Sequence, residues 1–276
     1  MRAAFTIPPV QNNFSQLHLL VEAGAENISF VFFTKNPLQI AGLMIFNMDK
    51  NLAPMQIAAE VDSEISNQPI LMEEFASCTI VSNFKESLLV PAKYFDENIS
   101  GDMLHLMYGE STATPFKDSI NQGSIFNIYR IEDIIKDVLK EYYSGSAVFH
   151  STSLQLQKPV TQLPTLTCMV YHNAVKVILY HNEKIQVVKY FTYNIALDVA
   201  YHLLNICKQH HVSNEEVSLS LCGMIDEGSN LYTELYKYFL HISFDNMPVE
   251  IIRNEQLLQY PLHFFSHLTY MASCVS

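Results

Sequence analysis

The chain has 276 residues, 49% of them apolar and 16% charged, with a formal net charge of -12. This composition belongs to a folded chain with material for one large core or two modest ones, and excludes intrinsic disorder. With 28 acids against 16 bases and no Lys/Arg cluster, the chain lacks the positive footprint of a phosphate-backbone binder, so nucleic acid is not an expected partner.

Residues 1–16 are polar, include Pro8-Pro9 and read as an extended arm. Leu17–Val21, Ile28–Thr34 and Leu38–Phe46 have the length and β-branched or aromatic content of strands. Their turns are Glu22-Ala23-Gly24-Ala25-Glu26 and Lys35-Asn36-Pro37. Pro54 suits a helix start, and Ile57, Ala58, Val61 and Ile65 follow at helical spacing. Cys78–Asn83 reads as a strand, Leu88–Val90 as a short apolar run, and Pro91–Leu106 as partly helical. Gly109–Gly123 is a Ser/Thr/Gly/Pro-rich loop, and Ser124–Tyr129 a candidate strand. Ile131–Tyr143 is an amphipathic helix with Ile131, Ile134, Ile135, Val138 and Leu139 on one face. Ala147–His150 is a short apolar run, and Ser151–Gln157 starts another helix. Pro159 and Pro164 mark the expected domain boundary, giving halves 1–160 and 161–276.

The second half opens with strands at Leu166–Tyr171, Val175–Tyr180 and Ile185–Phe191, joined at His172-Asn173-Ala174 and His181-Asn182-Glu183-Lys184. From Asn194, the expected N-cap, to His211 the apolar residues recur at helical spacing, with Asp198 in the first turn. Val217, Leu219 and Leu221 alternate with polar neighbours as a strand that Gly223 ends. Ser229 or Asn230 caps a helix over Leu231–Leu240, and His241–Phe244 is a short strand. Val249–Ile252 is a candidate edge strand and Pro261–Cys274 a final helix. Each half thus runs three strands, helix, strand, helix, a duplicated order with little identity between the copies.

The runs Asp198-Val199-Ala200-Tyr201-His202-Leu203-Leu204-Asn205 and Ser220-Leu221-Cys222-Gly223-Met224-Ile225, with Gly228-Ser229 and the ending Pro261-Leu262-His263-Phe264-Phe265 to Cys274, resemble a family of uncharacterised bacterial proteins. That family is a domain of unknown function with an actin-like ATPase fold. The resemblance covers nearly the whole chain. It implies an α/β fold of two ribonuclease-H-like β-β-β-α-β-α halves, in a superfamily that also holds sugar kinases and pilus-assembly ATPase-like proteins. Active members hold nucleotide with one Asp/Gly hairpin turn per half and a Gly-Gly turn after the fourth strand of the second half. Carried over here, the ATP and Mg²⁺ residues are Glu22, Gly24, Gly223, Gly228 and Ser229. The departures are His172-Asn173-Ala174, which lacks both Asp and Gly, and Met224 in place of the second glycine. Asp226 and Glu227 add negative charge at a helix start, where a phosphate would otherwise be favoured.

Plainer readings stand beside these. Glu22 and Gly24 also fit a simple hairpin whose glycine supplies a positive φ, and Gly223 with Gly228-Ser229 a capped strand-to-helix turn. His263 and His267 are spaced like metal ligands, but no third ligand follows. His172 and His181 are placed to face one another across their hairpin. Tyr232 and Tyr236, four apart on one helix, suit either an interface or a core flank. The first strand of the second half has no acid, against a two-metal nuclease. Five cysteines without a CxxC pair read as reduced thiols, and no apolar run approaches the ~20 residues of a membrane span.

The expectation is a cytoplasmic, non-enzymatic interaction or scaffolding protein, a pseudo-ATPase with an unknown protein partner, no membrane partner, and no catalytic residue, cofactor or metal. One alternative is an ATPase or kinase with divergent phosphate loops; another is a small-ligand binder using a cleft between the halves.

Overall fold

A computed structural model describes residues 1–10, 13–159, 162–245 and 251–276. The chain divides into two units. The first is Met1–Gln157 with Ile251–Leu257 and Met271–Ser276; the second is Lys158–Glu250 with Leu258–Tyr270. The chain's return to the first unit is absent from the expected division at 160/161.

The first unit opens with strands β1 (Arg2–Ile7), β2 (His18–Gly24), β3 (Asn27–Thr34) and β4 (Gln39–Asn47), then helix α1 (Pro54–Asn67) and β5 (Ser77–Asn83). β6 (Ser87–Pro91), α2 (Ser100–Tyr108), β7 (Phe116–Ile120) and β8 (Ile125–Tyr129) follow, then α3 (Asp133–Tyr142), β9 (Ala147–His150) and the short α4 (Ser151–Gln155). The main sheet has the order β1-β4-β3-β2-β5-β9. β2, β3 and β4 pair antiparallel, while β5 runs parallel to β2 and β9 parallel to β5. Strand β3 is buried on both faces, Ile28 through Phe33, which explains why Phe30, Val31, Phe32 and Phe33 are apolar in succession. Helix α1 starts at Pro54 and turns Ile57, Ala58, Val61 and Ile65 into the core that also holds Ile135 and Leu139 of α3.

Two expectations change here. The N-terminal arm is strand β1, antiparallel to β4 from Arg2↔Asn47 to Ile7↔Leu43. Its end crosses β4 so closely that a Cβ on Gly42 would lie 2.5 Å from the Ile7 carbonyl oxygen and 2.6 Å from the Pro9 nitrogen. Secondly, the helical stretch within Pro91–Leu106 is not the second helix of the repeat. It leads into α2, which packs on a separate sheet of order β6-β8-β7, inserted between β5 and α3. The repeat's own helix and closing strand are α3 and β9.

The second unit has β10 (Thr165–Val170), β11 (Ala174–His181), β12 (Lys184–Thr192), α5 (Ala196–Gln209), β13 (Ser218–Gly223), α6 (Asn230–Leu235) and β14 (His241–Phe244). Its sheet order is β12-β11-β10-β13-β14. β10, β11 and β12 pair antiparallel; β13 is parallel to β10 and β14 to β13. With β2–β5 and β9 renamed in sequence, the two sheets share the strand order 3-2-1-4-5 and every strand direction. Val199, Ala200, Leu203, Ile206 and Cys207 seat α5 in this unit's core. Asn194 is not the cap of α5: the Asp198 carboxylate accepts from the amides of Asn194 (2.9 Å) and Ile195 (3.1 Å), and the helix begins at Ala196. Helix α6 is shorter than expected and ends at Leu235.

Past the second unit's sheet, β15 (Ile252–Arg253) pairs parallel with Gln39 and Ile40 of β4. The expected edge strand Val249–Ile252 begins outside the described residues. The final helix, α7 (Ser266–Cys274), follows a 3-10 turn at Leu262–Phe264.

Candidate functional site

In the first unit, Glu22 is fully buried within β2, opposite Ser29 of β3 and Val81 of β5. Gly24 has no positive φ. It is glycine because β2 meets β5 closely there: a Cβ would lie 3.1 Å from the Asn83 carbonyl oxygen. Buried polar side chains surround this strand end. Ser151 donates to the Asn83 side chain at 2.7 Å, and Asn27 donates to Ser29 at 2.8 Å.

A second buried network, invisible in the sequence, pins β7, β8 and β9. Asp118 accepts from the Tyr129 hydroxyl (3.2 Å) and the His150 amide (2.8 Å). Burial raises the Asp118 carboxyl above the usual range, opposed by hydrogen bonds from Ser153, His150 and Tyr129. His150 accepts at Nδ1 from the Thr152 amide and donates from Nε2 to the Phe84 carbonyl, which fixes its tautomer and ring orientation. These bonds tie three strands together, which makes the cluster a clamp. Residues 118, 129 and 150 are too far apart in sequence for spacing to reveal it.

In the second unit the hairpin at His172-Asn173-Ala174 is closed by the Tyr171 amide on the Ala174 carbonyl, 2.8 Å. Asn173 does not take the left-handed conformation, and the turn carries no carboxylate. Gly223 does, with φ +83°, and a Cβ on it would lie 2.2 Å from the Val170 carbonyl oxygen. That oxygen accepts the Met224 amide at 2.8 Å. Gly223 is therefore the point where β13 turns across the end of β10. Ser229 caps α6, accepting from the Tyr232 amide at 3.1 Å and donating to the Asp226 carbonyl at 2.7 Å. Gly228 sits beside Asp226, with Asp226 and Glu227 exposed. Gly223, Gly228 and Ser229 thus form one turn, as Glu22 and Gly24 form one strand end.

The histidine spacings dissolve into packing. His263 donates from Nε2 to the Ile225 carbonyl at 2.7 Å and stacks on Phe244. His267 is buried edge-on to Tyr171; burial, then the charges of Lys158 and Lys176, push its imidazole down to about 3. His172 and His181 stand at opposite ends of β11. No group of three or more His, Cys, Asp or Glu placed to hold a metal occurs among the described residues. No helix among them is long and apolar enough to cross a membrane.

The sequence did not reveal an open groove of about 490 Å³ along α5, lined by Thr192, Leu197, Tyr201, His202, Leu204 and Tyr238 among others. Leu197 is 50% exposed and Tyr201 64%, so both offer apolar surface to a partner. Tyr232 and Tyr236 stack on one another, with Tyr232 also stacked on Phe244.

Two units with the strand order 3-2-1-4-5 define the actin-like ATPase fold. A solved structure from Bacteroides thetaiotaomicron VPI-5482, described as a protein with actin-like ATPase fold and unknown function, matches with a TM-score of 0.75 and 15% identity, over 95% of this chain and 99% of that one. The structure of the PilM-PilN type IV pilus biogenesis complex matches with a TM-score of 0.60 and 12% identity, over 94% of this chain and 98% of that one. Within that fold, residues 10–242 match the family described as "Protein of unknown function (DUF3822)", and the chain belongs to that family. No curated protein matches it.

Proposed function

We propose that this protein is a non-enzymatic interaction or scaffolding protein, a pseudo-ATPase whose partner is another protein. One observation carries the reading: the close backbone approaches at the glycines are made to the protein itself. Gly24 backs onto Asn83 and Gly223 onto Val170, where a nucleotide-binding relative would present its turns to phosphate and adenosine. The second hairpin supplies no carboxylate for a metal, and Glu22 is enclosed in β2. The PilM neighbour is named as part of a complex with PilN, which supports a protein partner. Five free thiols, three of them buried, suit a reducing compartment, and we place the protein in the cytoplasm.

The second reading is an ATPase or kinase with divergent loops, binding ATP and Mg²⁺ through Glu22, Gly24, Gly223, Gly228 and Ser229. It is favoured by a buried acid two residues before a glycine at the end of β2. A thermal-shift titration separates the two. A ligand at a hundredfold its dissociation constant stabilises the native state by about 2.7 kcal/mol, a melting shift of several degrees. We expect no such shift with millimolar ATP-Mg²⁺; a shift of that size accompanied by phosphate release overturns the pseudo-ATPase reading.

A further inference from the structure

The two units treat the outer edge of their third strand differently. In the first unit that strand is β4, and its outer side is closed. β1 runs antiparallel beside Leu43–Asn47, and β15 runs parallel beside Gln39 and Ile40. In the second unit the counterpart is β12, the last strand of its sheet, and no described strand pairs with its outer side. At nine residues β12 is a long edge, and long edges template the addition of another strand.

Two features that guard such edges occur on β12: a bulge at its start and a charged residue, Lys189, further along. Gln186 is the extra residue of a bulge between Ile185 and Val187, and its side-chain amide donates to the His181 carbonyl at 2.9 Å. From Val187 to Thr192 the pairing with β11 is regular. The bond from the Tyr193 amide to the Asn173 carbonyl fixes its phase: residues 187, 189 and 191 bond inward, so Val188 and Thr192 direct their N–H and C=O outward. Val187 and Phe191 pack on the core below, with Lys189 on the same face of the strand. Phe191 stacks on His202 of α5 at 4.1 Å, and beyond His202 lies the groove with Leu197, Tyr201 and Leu204. β12 carries Lys184 and Lys189 and no acid. A second copy of the chain would bring these lysines to a like edge and join two molecules of net charge -12.

We propose that β12 is a strand-addition site. An extended segment of a partner protein, alternating apolar and acidic residues, pairs antiparallel with Val187–Thr192, sets a carboxylate against Lys189 and lays its apolar side chains on the opposite face, beside Val188 and Tyr190. The first unit shows the geometry in its own chain, where β1 fills β4. This inference rests on the interaction reading and names the surface that serves it.

The test uses the full chain and a labelled, end-blocked heptapeptide of alternating glutamate and valine, followed by fluorescence anisotropy and amide hydrogen exchange. We expect saturable binding, with exchange slowed at Val188 and Thr192. Val188→Pro removes an outward N–H that the β11 ladder does not use, and should weaken binding at least tenfold without lowering the melting temperature. Lys189→Glu should weaken it similarly and shift preference to a matched heptapeptide of alternating lysine and valine. Peptides N-methylated on alternate amides leave the protein unaltered: one phase should block binding and the other retain it. The proposal is overturned if the heptapeptide does not bind at millimolar concentration, if both methylated peptides bind equally, or if protection appears elsewhere. It is also overturned if sedimentation shows a dimer that Val188→Pro dissolves, since the occupant is then a second copy. Stabilisation by ATP-Mg²⁺ with hydrolysis removes the interaction reading itself, whereas peptide failure without any nucleotide effect removes only this site.

Discussion

Replacing Gly223 by alanine should be among the most damaging single-methyl changes in the second unit. Two separate costs add. An L-residue at φ +83° sits in the left-handed region, at about 1–2 kcal/mol. The new Cβ also lies 2.2 Å from the Val170 oxygen, so the end of β10 or the turn itself must shift, straining the Met224–Val170 bond. Overpacking of this kind costs about 1–3 kcal/mol. The total, about 2–5 kcal/mol, is a large part of a typical stability of about 5–15 kcal/mol and corresponds to a melting decrease of roughly 5–15 °C. Differential scanning calorimetry of three variants separates the terms. Gly145→Ala carries the left-handed cost alone, because φ is +74° and nothing lies within 4 Å. Gly228→Ala meets only the Asp226 carboxylate, at 3.3 Å, without a positive φ, and should change little. If Gly223→Ala melts no lower than Gly145→Ala, the close approach to Val170 does not explain this glycine.

Other outcomes follow from burial and contact. His267 is held neutral, with its pKa lowered from 6.5 to about 3, so the unfolded chain binds the extra proton in that window and stability falls as pH drops through it. His267→Gln should flatten this decline by up to about 1.4 kcal/mol per pH unit; urea midpoints at pH 7 and pH 4.5 that fall in parallel for both proteins would count against it. Alkylation of unreduced, unfolded protein should modify all five cysteines, and a smaller number would reveal a disulfide. In the native state burial holds the Cys168 thiol up at about 12 and Cys207 at about 11, so both should label slowly at pH 8. Gly42→Ala should lift the end of β1 from β4, seen as faster amide exchange in Arg2–Ile7; unchanged protection would show that the crossing at Gly42 tolerates a methyl.

Most strands were legible because alternation and turn chemistry are local. The run Val217–Leu221, the paired hairpins and the helix-phase residues of α5 all lie where pattern placed them. Neighbourhood was not legible. The pattern of Ile131–Tyr143 is that of an amphipathic helix, yet periodicity does not say which strand a helix follows in space, and the inserted β6–β8 sheet hides α3 as the helix between β5 and β9 in the repeat. The glycines show the same limit. The hairpin reading gives Gly24 a positive φ that it lacks, because a close approach to Asn83 leaves no mark in sequence. Gly223 combines both causes, and only its role as strand terminator was visible. The cap of α5 was misplaced because Asn194 and Asp198 both have capping chemistry, and a carboxylate reaching back from the first turn satisfies the amides that an N-cap side chain would not.

The closure of β4 also sets a timetable. β1 leaves the ribosome before β4 and can cover Leu43–Asn47 as soon as that strand appears. Gln39 and Ile40 wait for Ile252–Arg253, and the second unit's sheet is made in the interval. At about 5–20 residues per second the delay is roughly 10–40 s, long compared with hairpin formation. A nascent chain paused before Ile252 therefore presents a first unit with most of its core in place and a short notch of unpaired sheet edge.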